Sequence, residues 1–283
     1  MTIRRHRLIG TAVLLVLIVG VALVVRNQVK VYRSRQRAAA ATQHRQSLFD
    51  LLRPVALSNC TLERFGETND GGYLMCGNLL DSVQVGYSYG ISGYDKWGCD
   101  ISTKLQVRLH QYDCFNTTVP ACPGGDTVFH PECVGDASKT EDGRVFDTLA
   151  SQLAKNGDRG KHIALKIDVE GAEWNSFLHA SDDVLQQIDQ MAVEFHGVED
   201  EKHLRVVERL TRFFHVAHIH FNNASCLDGL APFPSWAYEV LFVSRRLGVV
   251  DPSRTAGGLH DLDALNNPAF DDCQSHREIR PVR

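Results

Sequence analysis

The residues of this chain most able to do chemistry stand at the ends of apolar runs. In HIALKIDVEGAEWNSFL, His162 to Leu178, the apolar residues Ile163, Ala164, Leu165 and Ile167 lead into Asp168 and Glu170, and Gly171 and Glu173 follow. Residues two apart in an extended segment face the same side. Asp168 and Glu170 are therefore expected to converge on one cleft, with Gly171 letting the chain break toward a helix. Glu173 falls in the first turn of that helix, where a negative charge also favours the helix dipole. A second run, IDQMAVEFHG, ends with Glu194 and His196 on one face, and in HIHFNN the residues His218, His220 and Asn222 share a face. Such a set can bind a divalent cation or set a general base beside a substrate hydroxyl. A buried hydrogen-bonded network is the plainer alternative. Asp168, Glu170, Glu194 and His196 are the candidate catalytic residues, and Asp168, Glu170 and His196 the candidate metal ligands.

Two more stretches suggest a ligand. In YSYGISGYD, Gly90 and Gly93 permit a tight turn and a close approach of backbone to a ligand. Asp113, in HQYDCF, follows about twenty residues later, a placement that suits the two hydroxyls of a ribose. Its plainer reading is a helix N-cap or a loop carboxylate.

The elements that must position these residues alternate along the chain. Strand-like runs occur at 82–90, 105–113, 126–134, 162–168, 188–196, 214–221 and 238–244. Helical spacing occurs at 145–157, 172–188 and 199–214, the last with Leu204, Val207, Leu210 and Phe214 on one face. Asn69-Asp70-Gly71-Gly72 signals a turn, with YLMC after it as a short strand. The alternation predicts an α/β fold in which a parallel sheet is wrapped by helices. Ligands then bind beyond the carboxyl ends of the strands, where the candidate residues fall.

The chain has 283 residues, of which 23% are charged and 43% hydrophobic, and a net charge of -4, so neither a disordered chain nor a nucleic-acid binder is indicated. After a short basic tail (1–7), Leu8 to Val25 carries no charge and spans about 27 Å as a helix, close to a bilayer's hydrocarbon core. It reads as an uncleaved membrane anchor, with a cleaved signal peptide as the rival. A basic stalk (26–47), a globular domain (48–245) and a polar, loosely ordered tail (246–283) follow. Flanking positive charges lean toward a cytoplasmic domain. Eight cysteines and three Asn-x-Ser/Thr patterns, at Asn59, Asn116 and Asn223, favour a luminal or extracellular one. Eight cysteines allow 105 complete pairings. There is no Cys-x-x-Cys pair or His-rich cluster of zinc spacing.

The phrases NDGGYLMCGNLL, SYGISGYDKWGCDIS, HQYDCF, KIDVEGAEW, IDQMAVEFHG, FFHVAHIHFNN and PSWAYEVLFV together resemble the FkbM-type methyltransferase domain, as found in single-pass membrane methyltransferase-like proteins, over roughly residues 55–245. The resemblance implies a Rossmann-like, seven-stranded methyltransferase sheet with helices on both faces and an antiparallel last strand, behind one transmembrane helix. It implies S-adenosylmethionine as cofactor, with Gly90 and Gly93 under its methionine part and Asp113 on the ribose. Asp168 and Glu170 would lie by the transferred methyl, and His196, Glu194 or Asp168 would act on an acceptor hydroxyl of a glycan or small molecule. The chain departs from the pattern at Ser88, where such first strands usually end in a carboxylate; Asp95 or Asp70 are the substitutes at hand. Two alternatives stand beside this reading: a catalytically inactive methyltransferase-like interaction module, which Ser88 favours, and a metal-dependent glycosyltransferase using Asp168-Val-Glu170.

Overall fold

A computed structural model describes residues 2–257 and 259–273, with side chains at Leu23 and from Val25 onward. Residues 1–44 and 45–283 form two compact units. In the first, the backbone is helical from Thr2, within α1 (Thr2–Leu51), and the basic stretch from Arg26 is largely exposed. The expected anchor, 8–25, lies almost wholly outside the described side chains. Among the described residues no helix is long and apolar enough to cross a membrane.

The second unit begins with the last turns of α1, where Leu48 is buried, as is Leu52 just after the helix. There follow β1 (Leu62–Gly66), β2 (Gly72–Cys76), β3 (Val85–Tyr89), α2 (Lys96–Leu105), β4 (Arg108–Tyr112), β5 (Asp126–His130), β6 (Glu132–Val134), β7 (Lys139–Glu141), β8 (Arg144–Asp147) and α3 (Leu149–Lys155). Then come β9 (Ile163–Ile167), α4 (Ala172–His179), α5 (Asp182–Gln187), β10 (Ile188–His196), α6 (Glu201–Phe213), β11 (Phe214–Phe221) and β12 (Ala237–Ser244). Seven strands make one mixed sheet in the order β11-β12-β10-β9-β3-β4-β5. β3, β4, β5, β9 and β10 run parallel, and β12 enters antiparallel between β10 and β11. The fold is thus α/β and Rossmann-like, with helices on the sheet.

Both faces of the inner strands are covered, so these strands read as continuous apolar runs rather than alternating ones. One face packs Leu165, Ile167, Val193, Trp174, Phe177, Val207 and Leu210 into the larger core; the other packs Tyr73, Met75, Trp97, Ile101, Leu109 and Ala192. Burying a side chain of this size stabilises by roughly 1.5–3 kcal/mol. The buried side of α6 is set by His203, Val206, Val207 and Leu210, while Leu204 is only half-buried.

Three expected elements differ, the first being the helix over 172–188, which breaks at extended Ala180 into α4 and α5. The run 126–134 splits into β5 and β6, which join different sheets. Pro131 stands between them, and without an N–H it cannot continue a ladder. The helix expected over 145–157 is confined to α3, because Val145–Asp147 pair with β6 and β7. Thr148 then caps α3, its side chain accepting from Ser151 N.

All eight cysteines pair: Cys60–Cys76, Cys99–Cys122, Cys114–Cys133 and Cys226–Cys273. The last fixes the segment expected as a loose tail. That segment holds no helix or strand among the described residues, yet Asn266 and Cys273 are buried in it and Asp263 meets His218 Nε2 at 2.8 Å. Its described part is a strap bound to the domain.

Candidate functional site

A cavity of about 600 Å³ opens at the carboxyl ends of β3, β4 and β9. Its floor is the turn after β3. Gly90 and Gly93 both take left-handed conformations, φ 70° and 85°. A Cβ on Gly90 would stand 1.5 Å from the Asp168 carbonyl oxygen, so only glycine lets these two chain segments lie side by side. Lys166, in the apolar run of β9, is buried beneath the turn. Its Nζ donates to Gly90 O at 2.8 Å and Tyr89 O at 3.1 Å, and lies 3.8 Å from Asp168 Oδ2. This lysine is absent from the candidates drawn from the sequence, where it reads as one residue of a core strand. A lone charge inside so apolar a run is the signal that could have found it, since a buried ammonium requires partners.

Ser88 does not line this cavity. It is wholly buried in β3, level with Lys166 on β9 and Gln111 on β4. Asp95, one of the two substitutes expected for a carboxylate at Ser88, does line the cavity. Asp95 caps α2 through Gly98 N at 2.8 Å and accepts from Gln111 Nε2 at 3.0 Å. Burial raises its pKa, and the Lys166 charge opposes that rise. Asp113 lines the cavity too, but its carboxylate is engaged: Oδ1 accepts from Phe115 N and Asn116 N, and Oδ2 from Ser92 N. A carboxylate offers about four lone-pair sites, so capacity for a ligand hydroxyl remains at Oδ2.

Past the end of β9, Asp168 and Glu170 line the cavity and meet His196, which is not in the lining, with one ligand atom of each within 4.8 Å of the others. The route differs from the expected one. β9 ends at Ile167, and Glu170 reaches the cluster through a left-handed turn, φ 53°, not as the alternate residue of a strand. It is 81% exposed, whereas Asp168 keeps 26% of its side chain exposed. His196 Nε2 lies 3.5 Å from Glu170 Oε2 and 3.8 Å from Asp168 Oδ1. Its other nitrogen, Nδ1, is 3.3 Å from Glu173 Oε1, which also accepts from His196 N at 2.8 Å, while Gly171 N donates to Glu173 Oε2. Glu173 is fully buried and orients the imidazole so that Nε2 faces the two acids. Burial works to lower the His196 pKa, but the hydrogen bond and charge of Glu173, with Asp168 and Glu170, outweigh it and raise the pKa.

Glu194 is not at the cavity. It is buried behind Tyr73, accepting from Asn222 Nδ2 at 2.8 Å. The Tyr73 hydroxyl lies 3.4 Å from Glu194 Oε2 and 3.4 Å from Asp168 Oδ2. Burial pushes the Glu194 pKa well up, and the Asp168 and Glu239 charges push the same way. A neutral Glu194 can donate to Tyr73, which then donates to Asp168. Burial raises the Asp168 pKa as well, against the Lys166 and His196 charges. His220 pairs with Glu239 and His218 with Asp263, away from the cavity; these two histidines belong to the buried network. Asn266 Nδ2, on the strap, donates to Glu239 Oε1 at 2.7 Å and Asp70 Oδ1 at 3.1 Å, which ties the turn before β2 to the sheet.

No family model matches the chain, and no curated protein matches its sequence.

Proposed function

We propose that this chain is a membrane-anchored, S-adenosylmethionine-dependent methyltransferase of the FkbM-type kind that O-methylates a hydroxyl of a glycan or small molecule. The observation that carries this reading is the cavity: a glycine turn after β3, an acid after β4, and Asp168 and Glu170 after β9 line it together, and His196, outside the lining, meets those two acids. The strand order, with an antiparallel strand inserted next to the edge, agrees with it, and so does the volume, which suits a small-molecule cofactor. Five carboxylates line the cavity against two lysines, a balance that favours a cationic ligand such as a sulfonium and disfavours an anionic acceptor. Tyr89 and Trp97, both in the lining, carry buried polar atoms with no partner among the described residues, which a bound ligand can satisfy.

The turn at Gly90 and Gly93, Asp95 and Asp113 would hold S-adenosylmethionine. That cofactor supplies an electrophilic methyl group. Lys166 keeps the turn in place, and Glu173 holds the His196 imidazole toward the acids. His196 Nε2 then takes the proton of an acceptor hydroxyl. The same nitrogen, with Asp168 and Glu170, fits a divalent cation equally well, because a carboxylate on the far ring nitrogen is the usual support of a metal-bound histidine. Much of the rate would come from positioning. The four disulfides support a domain in an oxidising compartment, luminal or extracellular.

The inactive interaction module is favoured by one observation, the engagement of both Asp113 oxygens by backbone N–H groups. Calorimetric titration of S-adenosylmethionine into the folded full chain separates the two. Micromolar binding, weakened by about 1–3 kcal/mol in Asp113→Ala, supports the enzyme. A folded chain that takes up no cofactor, with or without divalent cation, sinks it.

A further inference from the structure

The sequence carries three Asn-x-Ser/Thr patterns, and among the described residues the fold leaves the side-chain nitrogen of only one of their asparagines unengaged. Asn223 is 3% exposed; its Nδ2 donates to Asn267 O and Phe270 O, and its Oδ1 accepts from Asn267 N at 2.9 Å. It is the clasp that seats the strap. Asn59 Nδ2 donates to Leu247 O at 2.8 Å and its Oδ1 accepts from Val249 N at 2.9 Å, which joins the segment before β1 to the chain after β12. A glycan on either nitrogen would drive a bulky polar group into a packed seam and take away a donor that serves it.

Asn116 is different. It lies in the stretch Phe115–Val119, whose other residues are all exposed. Its Oδ1 accepts from Thr118 N at 3.1 Å, which holds Thr118 beside the carboxamide, and its Nδ2 has no partner among the described residues. Gly93 is its neighbour: a Cβ there would stand 2.9 Å from Nδ2, so the glycine leaves room beside the nitrogen, and Asn116 itself is half-buried. We propose that Asn116 is an N-glycosylation site and that Asn59 and Asn223 stay unmodified. The inference rests on the luminal or extracellular placement proposed above. The reaction joins Asn116 Nδ2 to the anomeric carbon of a lipid-diphosphate-linked oligosaccharide. The bond from that carbon to the diphosphate oxygen breaks, the lipid diphosphate leaves, and one amide proton is released. Asn116 also lines the cavity, so the first sugar stands at its rim.

The test uses the full chain, expressed through a eukaryotic secretory route with an Asn-Gly-Thr tag appended after Arg283. Enzymatic deglycosylation converts each modified asparagine to aspartate, which peptide mass spectrometry locates. Conversion at the tag and at Asn116 is expected. Asn116→Gln and Thr118→Ala should each abolish the second conversion, and Thr118→Ser should keep it. Conversion at the tag alone, or at Asn59 or Asn223, overturns the proposal while leaving the placement intact. A bare tag with a bare Asn116 overturns the luminal placement, and the proposal with it.

Discussion

Lys166→Met tests the reasoning that joins the turn to the acids. The lysine is nearly fully buried, and two carbonyls accept from its Nζ. Tyr89 O also accepts from Asp168 N at 3.2 Å, so it keeps a partner when the ammonium is removed. Gly90 O is then left without one, at a cost of about 1–3 kcal/mol. The second loss is the attraction to Asp168. At 3.8 Å, Coulomb's law with an effective dielectric of about 20 gives an upper limit near 4 kcal/mol. The partly wet Asp168 carboxylate lowers that to on the order of 1 kcal/mol. The substitution should therefore destabilise unit 45–283 by about 2–4 kcal/mol near neutral pH, or about 5–15 °C in Tm for a domain of this size. The two losses differ in their pH dependence. The Asp168 pKa is already raised, and removing Lys166 raises it further. A carboxylate with a raised folded pKa weighs against folding as the pH climbs above its unfolded value, about 3.9. The gap between wild type and Lys166→Met should thus narrow as the pH falls from about 7.5 toward about 4.5, leaving the orphaned carbonyl as the residual. Chemical denaturation at several pH values measures this. A gap that is absent, or that widens in acid, refutes the coupling of Lys166 to Asp168.

The site and its strap yield three further outcomes. Glu173→Gln removes the main influence raising the His196 pKa, so the acid limb of the pH–rate profile should move to lower pH; an unmoved limb would separate the two residues. Glu170→Ala should abolish calorimetric binding of Mn²⁺ yet change stability by less than about 0.5 kcal/mol, because the side chain is largely exposed. Cys273→Ser opens a loop of sequence separation 47, worth up to about 4 kcal/mol on the chain-entropy account. Limited proteolysis should then cut the strap between residues 259 and 272 in the variant first.

The fold was legible where periodicity is set by the sheet. Strands buried on both faces give unbroken apolar runs, and the bounds of β10 and β11 match the sequence pattern to the residue, at 188–196 and 214–221. The errors came where a short element competes with a longer pattern. Val145–Asp147 share helical spacing with the residues of α3, and only their pairing with β6 and β7, a tertiary fact, makes them strand. The proline between His130 and Glu132 stands in plain view in the sequence, and it alone marks the break that the apolar pattern of 126–134 runs across.

The site divides along a similar line. Asp168 and His196 stand where strands end, and strand ends can be read from sequence, so their meeting was foreseeable. What encloses them was not. Tyr73 belongs to a hairpin about one hundred residues away in sequence, and nothing local to YLMC says that its hydroxyl will stand between Asp168 and Glu194. That one contact decides the role of Glu194. Alternation on β10 gave it the same face as His196, which is correct, but the face is shared by two environments. At the end of the strand His196 meets Asp168 and Glu170, and two residues earlier β2 already covers the face. A carboxyl so covered has its pKa pushed up by burial and meets Asp168 only through the tyrosine. Period and motif therefore located the acids of this site, while the sequence-distant hairpin that covers the sheet sorts them into those that can touch a ligand and those that hold the others in place.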